Sequence, residues 1–214
     1  MNETARHRGG LTLSRVDALT DGVFAIVATL LVLEIHVPEL PEHATTSEVW
    51  HSLGDVAPSF VAFVFSFVTI LVYWVNHESL SRVTTRYPYR LVWINLVLLL
   101  FISLIPFTTD FISEYPKEPV AVATYGLVMA CSAATAVAGY WYVAFGANLM
   151  TPTVSIEVRR RLLRRFGLGP VFYLAAALAA FLSVYVAIAV YIALPLAFFV
   201  PALQERVLED LGEE

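Results

Sequence analysis

Charge is scarce in this 214-residue chain, and lysine almost missing: 14% of positions are Asp, Glu, Lys or Arg, and Lys117 is the single lysine. An ordinary soluble domain carries about 25% charged residues. Cysteine is nearly absent as well. Cys131 stands alone, which excludes an intrachain disulfide and a thiolate metal cluster. No His-Glu-x-x-His, no Gly-x-Ser-x-Gly, no phosphate-binding glycine loop and no Cys/His cluster at metal spacing occurs. Nothing in the sequence points to an enzyme, a cofactor, a resident metal or a nucleic-acid partner. Thr-Val-Gly-Tyr-Gly, whose carbonyls replace an ion's hydration shell, is also missing. Any cation path here must therefore select with side chains.

What is present is apolar. The chain is 58% hydrophobic with a mean hydropathy of +0.72, and runs long enough to cross about 30 Å of hydrocarbon recur along it. They cover Val23–Val37, Val56–Asn76, Leu91–Ile112, Val120–Ala147 and one long block, Leu168–Ala202. At about 1.5 Å per residue the last block is too long for one crossing, so it is read as two helices turning near Ser183. The fold class is an all-α membrane protein with six transmembrane helices. Residues 1–204 form one channel-sized domain, and 205–214 a short acidic tail.

The basic residues test that count. Arg6, Arg8 and Arg15 precede the first span, Arg82, Arg86 and Arg90 follow the second, five arginines between Arg159 and Arg165 follow the fourth, and Arg206 follows the sixth. Every basic residue except Lys117 then lies on one side, which the positive-inside rule makes cytoplasmic, with both termini. The outer loop from Pro38 to Asp55 holds Glu39, Glu42, Glu48 and Asp55 and no Lys or Arg. The first run lacks a small-residue cleavage pattern and is read as a span, not a signal peptide. His36, His43 and His51, in or beside the outer loop, are either solvated loop residues or a weak divalent-cation site.

The first helix carries a pattern. At about 100° per residue, Ile26, Leu30 and Leu33 form one apolar stripe with Thr29 on its flank. Asp21 lies on a small-residue side with Ala25, Ala28 and Val32. Such a stripe either packs, faces lipid or lines a pore, and Thr29 in a bland helix would simply bond back to a carbonyl one turn earlier. In the second helix Trp74 and His77 share a face at i, i+3. In an N-inside topology Arg15, Asp21, Trp74 and His77 lie at similar depth, with Asn95 of the third helix near them. Ionisable groups at this depth need partners. The cluster is read as either a static clamp between helices or a proton relay.

Arg15-x-x-x-Leu19-Thr20-Asp21-Gly22, running on to Ile35, resembles the Arg-x-x-x-Phe-Ser-Asp signature of the transmembrane protein 175 family, which contains the lysosomal potassium channel of animals and bacterial relatives. Tyr73-Trp74-Val75-Asn76-His77 is similar to that family's second-helix motif, and Leu104-Ile105-Pro106-Phe107 after Asn95 also fits. Leu19 and Thr20 depart from the family's Phe and Ser. The resemblance implies a potassium-selective channel in the bacterial inner (plasma) membrane, multi-pass, with the first helix lining a central pore. Animal members carry two six-helix repeats and this chain one, which implies a homotetramer. It further implies that Ile26 is the innermost constriction, with Leu30 and Leu33 the rings above it, and that Thr29 bears on potassium preference. Arg15, Asp21, Trp74, His77 and Asn95 would brace that helix. Glu34 and Glu39 would form the outer vestibule, where acidic side chains concentrate cations. A hydrophobic constriction can close by dewetting. The alternative readings are a secondary transporter, for which no inverted repeat is visible, a proton-permeable pathway, and a non-conducting assembly protein.

Overall fold

The computed structural model describes residues 13–36, 38, 40 and 42–199. Every regular element among them is helical. The chain runs through α1 (Leu13–Leu30), α2 (Thr46–Asp55), α3 (Ala57–Arg82), α4 (Tyr89–Ser103), α5 (Ile105–Glu114), α6 (Pro119–Trp141), α7 (Ile156–Ala179) and α8 (Val184–Phe199). Five stretches are long and apolar enough to cross a membrane: Arg15–Glu34, Ala57–Arg82, Tyr89–Glu114, Pro119–Gly146 and Ile156–Ala179. The described apolar part of α8, Val184–Ala197, is shorter. The chain turns between α7 and α8 where Ser183 N–H donates to Ala179 C=O at 2.8 Å.

α4 and α5 are one crossing with a break. Pro106 lacks an N–H and enters at the start of α5, so the α-helical ladder is interrupted and Leu104 N–H turns back to Phe101 C=O. Thr109 Oγ1 then donates to Ile105 C=O and, bifurcated, to Ser66 Oγ of α3, at 2.8 Å each. Ser66 Oγ lies 3.2 Å from Tyr125 Oη, so a chain of hydroxyls joins α5, α3 and α6 inside the bundle. Around it Leu31, Ile70, Ile102, Met129 and Ala187 are fully buried, tying four crossings and α8 into one core that Tyr173 and Ala176 of α7 complete. Tyr125 and Tyr173 flank Tyr191 of α8, with ring centroids 5.2 and 6.1 Å from it. Tyr191 Oη donates to Val122 C=O, which seats α8 against α6.

A second apolar cluster lies at the arginine-rich end, where Val16, Leu91, Tyr140, Val143 and Leu149 pack together. Here the α3–α4 connection meets the one after α6 through Thr85 N–H to Leu149 C=O at 2.9 Å and Thr151 N–H to Val83 C=O at 2.8 Å. α6 ends in a π turn, Tyr142–Gly146, and Asn148 takes a left-handed φ of 47°. Arg159 is buried here. Its guanidinium donates to the carbonyls of Val154, Ala144 and Thr151 and to Asn148 Oδ1 at 2.9–3.2 Å. In the sequence Arg159 is one more basic residue of the arginine-rich connection. Folded, it satisfies one carbonyl at the end of α6, Ala144, and two in the connection that follows, Thr151 and Val154.

The loop expected from Pro38 to Asp55 is not all loop, because α2 occupies its second half. Thr45 caps it reciprocally: Glu48 N–H donates to Thr45 Oγ1, and Thr45 N–H to Glu48 Oε2 at 2.7 Å. That capping box is written in the residues. These bonds to Thr45 hold the exposed Glu48 carboxyl below its ordinary range.

Candidate ion pathway along the first helix

α1 packs on the rest of the subunit by one face only. Val16, Thr20, Phe24, Val27, Ala28 and Leu31 are buried, at spacings of three and four that make a single helical stripe. The opposite arc is open: Ile26 is 59% exposed, Leu30 42% and Leu33 68%, with Thr29, Gly22 and Ala25 beside them. Asp21 is exposed as well in the single subunit. So are Ala25 and Val32, while Ala28 of the same small-residue side faces inward. Beyond Leu30 the helix tightens to a 3₁₀ turn, Leu31–Glu34. Leu33 is therefore placed by a step of about 120° per residue, not 100°, and it remains on the open side.

Thr29 Oγ1 donates to Ala25 C=O at 3.0 Å and Ile26 C=O at 2.8 Å. Its proton is engaged by the helix, and its exposed oxygen keeps acceptor capacity. Glu34 is half-buried. His36 Nδ1 lies 3.1 Å from the Glu34 carbonyl and 3.9 Å from Asp110 Oδ1, so this end of α1 meets the end of α5. Glu39 lies outside the described residues.

The other end of α1 is stitched down. Trp74 Nε1 donates to Asp21 Oδ1 at 2.8 Å and Ser81 Oγ to Asp17 Oδ1 at 2.9 Å. The rings of His77 and Phe24 are 6.4 Å apart. Trp74, His77 and Ser81 stand at i, i+3 and i+7, one face of α3. From α4, Asn95 Nδ2 donates to Thr20 Oγ1 at 2.7 Å, and that hydroxyl donates onward to Val16 C=O at 2.9 Å. His77 sits beside Asn95. Arg15 is exposed and makes no ion pair with Asp21 among the described residues. The partner of Asp21 is the indole. Asp17, Thr20 and Ser81, which the sequence pattern does not mark as site residues, carry part of this stitching. Half-buried Asp17 stands one turn before Asp21 and buried Thr20 adjoins it, which is the available signal.

Five long apolar crossings, a helix with one buried face and one open arc, and a polar latch at its arginine-rich end define a multi-pass helical membrane protein. Residues 15–106 match the family described as endosomal/lysosomal potassium channel TMEM175. The chain is 37% identical over 163 residues to a potassium channel of Streptomyces collinus, covering 74% of this chain and 78% of that one. It is 30% identical over 207 residues to a potassium channel of a Chryseobacterium, covering 95% and 100%. Among solved structures, the crystal structure of a lysosomal potassium-selective channel TMEM175 homolog from Chamaesiphon minutus matches with a TM-score of 0.76 at 32% identity, over 90% of this chain and 97% of that one. The chain belongs to the TMEM175 family, a family of ion channels and not of enzymes.

Proposed function

We infer that this chain is a potassium-selective channel whose central path is lined by α1 from four copies of the subunit. The observation that carries the reading is the open arc of α1. A helix that buries one face in its own subunit and leaves Ile26, Thr29, Leu30 and Leu33 uncovered has a surface for its symmetry mates. The exposed carboxylate of Asp21 at the edge of that arc is out of place against lipid. The names of the bacterial relatives support potassium as the ion.

In this reading Ile26 forms the innermost ring, Leu30 and Leu33 the rings above, and four Thr29 oxygens the only side-chain acceptors between them. Aliphatic rings oppose a hydrated ion by dewetting, so selection needs no carbonyl filter. Asp21, Trp74, His77 and Asn95 set the angle of α1, with Arg15 beside them. Glu34 faces the outer mouth, and Glu39 belongs to the same vestibule. Six crossings, with α8 as the sixth, form a single domain over residues 1–204 with both termini cytoplasmic, in the bacterial inner membrane.

A second reading is proton permeation. TMEM175 of Gallus gallus, named an endosomal/lysosomal proton channel, is 34% identical over 113 residues, 50% of this chain and 23% of that protein. Planar-bilayer recording of the purified full chain tests both. Under bi-ionic potassium and sodium, a potassium channel reverses near the potassium potential. A proton pathway instead follows an imposed pH gradient. Absence of current in verified tetramers would overturn the channel reading.

A further inference from the structure

Behind α1, among α3, α4, α6 and α7, lies a cavity of about 130 Å³. Leu98, Ala136, Tyr140, Phe166 and Tyr173 give it apolar and aromatic walls, and Asn95 and His77 stand together on its polar side. Nearly all of its lining belongs to membrane-crossing segments. Asn95 Oδ1 is the one buried side-chain polar atom without a hydrogen bond among the described residues, and Asn95 is 5% exposed.

The orientation of that amide follows from its neighbour. Thr20 Oγ1 gives its proton to Val16 C=O at 2.9 Å, so toward Asn95 it can only accept. The contact at 2.7 Å must then be an Nδ2 donation. This leaves Oδ1 as an acceptor beside the cavity and the His77 ring, without a hydrogen bond of good geometry. A buried acceptor left unmade is costly, and two of the hydroxyls on the wall are engaged elsewhere. Tyr73 Oη donates to Met129 C=O and Tyr140 Oη to Arg159 C=O.

We propose that this cavity is a binding site for a small neutral aromatic molecule bearing one hydrogen-bond donor, of the phenol class, whose hydroxyl donates to Asn95 Oδ1. The volume is close to the roughly 150 Å³ at which an apolar protein cavity admits a benzene ring. Aromatic walls favour a ring, and a charge would be stranded at this depth. Because Asn95 holds Thr20, an occupant bears on α1 through one shared residue.

The test is a ¹⁹F NMR titration of the full chain in lipid nanodiscs with 4-fluorophenol and, as the probe lacking a donor, fluorobenzene. Expected is saturable binding of one molecule per subunit, with roughly tenfold preference for the phenol. In Asn95→Leu that preference falls to the ratio set by partitioning alone. Ala136→Leu fills the cavity and removes both signals. Gly139→Ala is the milder filling variant, since its new Cβ meets only Ile94 Cγ2 at 3.5 Å, and it weakens both. Equal preference in wild type and Asn95→Leu, or unchanged binding in a folded filling variant, overturns the proposal. The readout is binding, so it stands apart from whether the protein conducts.

Discussion

The indole of Trp74 donates to the carboxylate of Asp21 at 2.8 Å, joining the open arc of α1 to the face of α3 that also carries His77 and Ser81. The bond sits two turns below Thr29. It fixes the rotation of α1 at the end where the apolar stripe begins, and rotation decides which side chains meet on an axis.

Trp74→Phe keeps most of the ring and removes the donor. It is expected to lower tetramer stability by about 1 kcal/mol, the modest figure for a charge-assisted bond at a part-exposed site. Asp21→Asn retains an oxygen that accepts from the indole and is expected to melt close to wild type. Thermal unfolding of the assembled channel separates the two. A stable Asp21→Asn tetramer with sharply altered permeability ratios would place the carboxylate in the ion path.

Ile26→Asn is expected to raise single-channel conductance at least about twofold, because a polar ring hydrates where an aliphatic one dewets. Single-channel recording checks it. Unchanged current in an assembled variant would put the barrier at Leu30 or Leu33.

Thr29→Val preserves shape and removes the exposed hydroxyl oxygen. The reversal potential under bi-ionic conditions should move toward equal potassium and sodium permeability, with conductance little changed. A reversal potential that stays put would assign Thr29 a packing role only.

Gly126 is where α6 makes room for α8. A Cβ there would run into the Tyr191 ring and come within 2.9 Å of Ala177 Cβ. Gly126→Ala should cost roughly 1–3 kcal/mol, as overpacking does, and loosen the Tyr191 bond to Val122 C=O. Easier proteolysis of α8 in the variant is the readout.

The capping box of α2 should respond to acid. Glu48 is held below its ordinary 4.5 by its bonds to Thr45, so its contribution is present above that value and fades as pH falls through the lowered one. Amide exchange at Glu48 and Val49, corrected for intrinsic rate, should then quicken. Glu48→Gln should show the faster exchange already at neutral pH and no acid dependence.

Membrane class, the apolar crossings and the α1 stripe were all legible in the residues, because hydropathy and helical period are local properties. The turn near Ser183 and the Thr45/Glu48 cap are local too, although the cap marks a helix where a loop was expected. Other features belong to contacts between residues far apart in the chain. Nothing around Arg159 marks it as buried among carbonyls, since its acceptors gather from the end of α6, a left-handed Asn148 and the folded connection at Thr151 and Val154. Arg15 and Asp21 look like an ion pair on a list of charges, yet the indole of Trp74, 53 positions away, takes the carboxylate. The 3₁₀ turn that re-aims Leu33 has no residue signature. The unmatched oxygen of Asn95 exists only because Thr20 has already spent its proton on Val16. Periodicity determines which residues share a face. Only packing decides what that face meets, since a polar group's free energy depends on which partners folding leaves it.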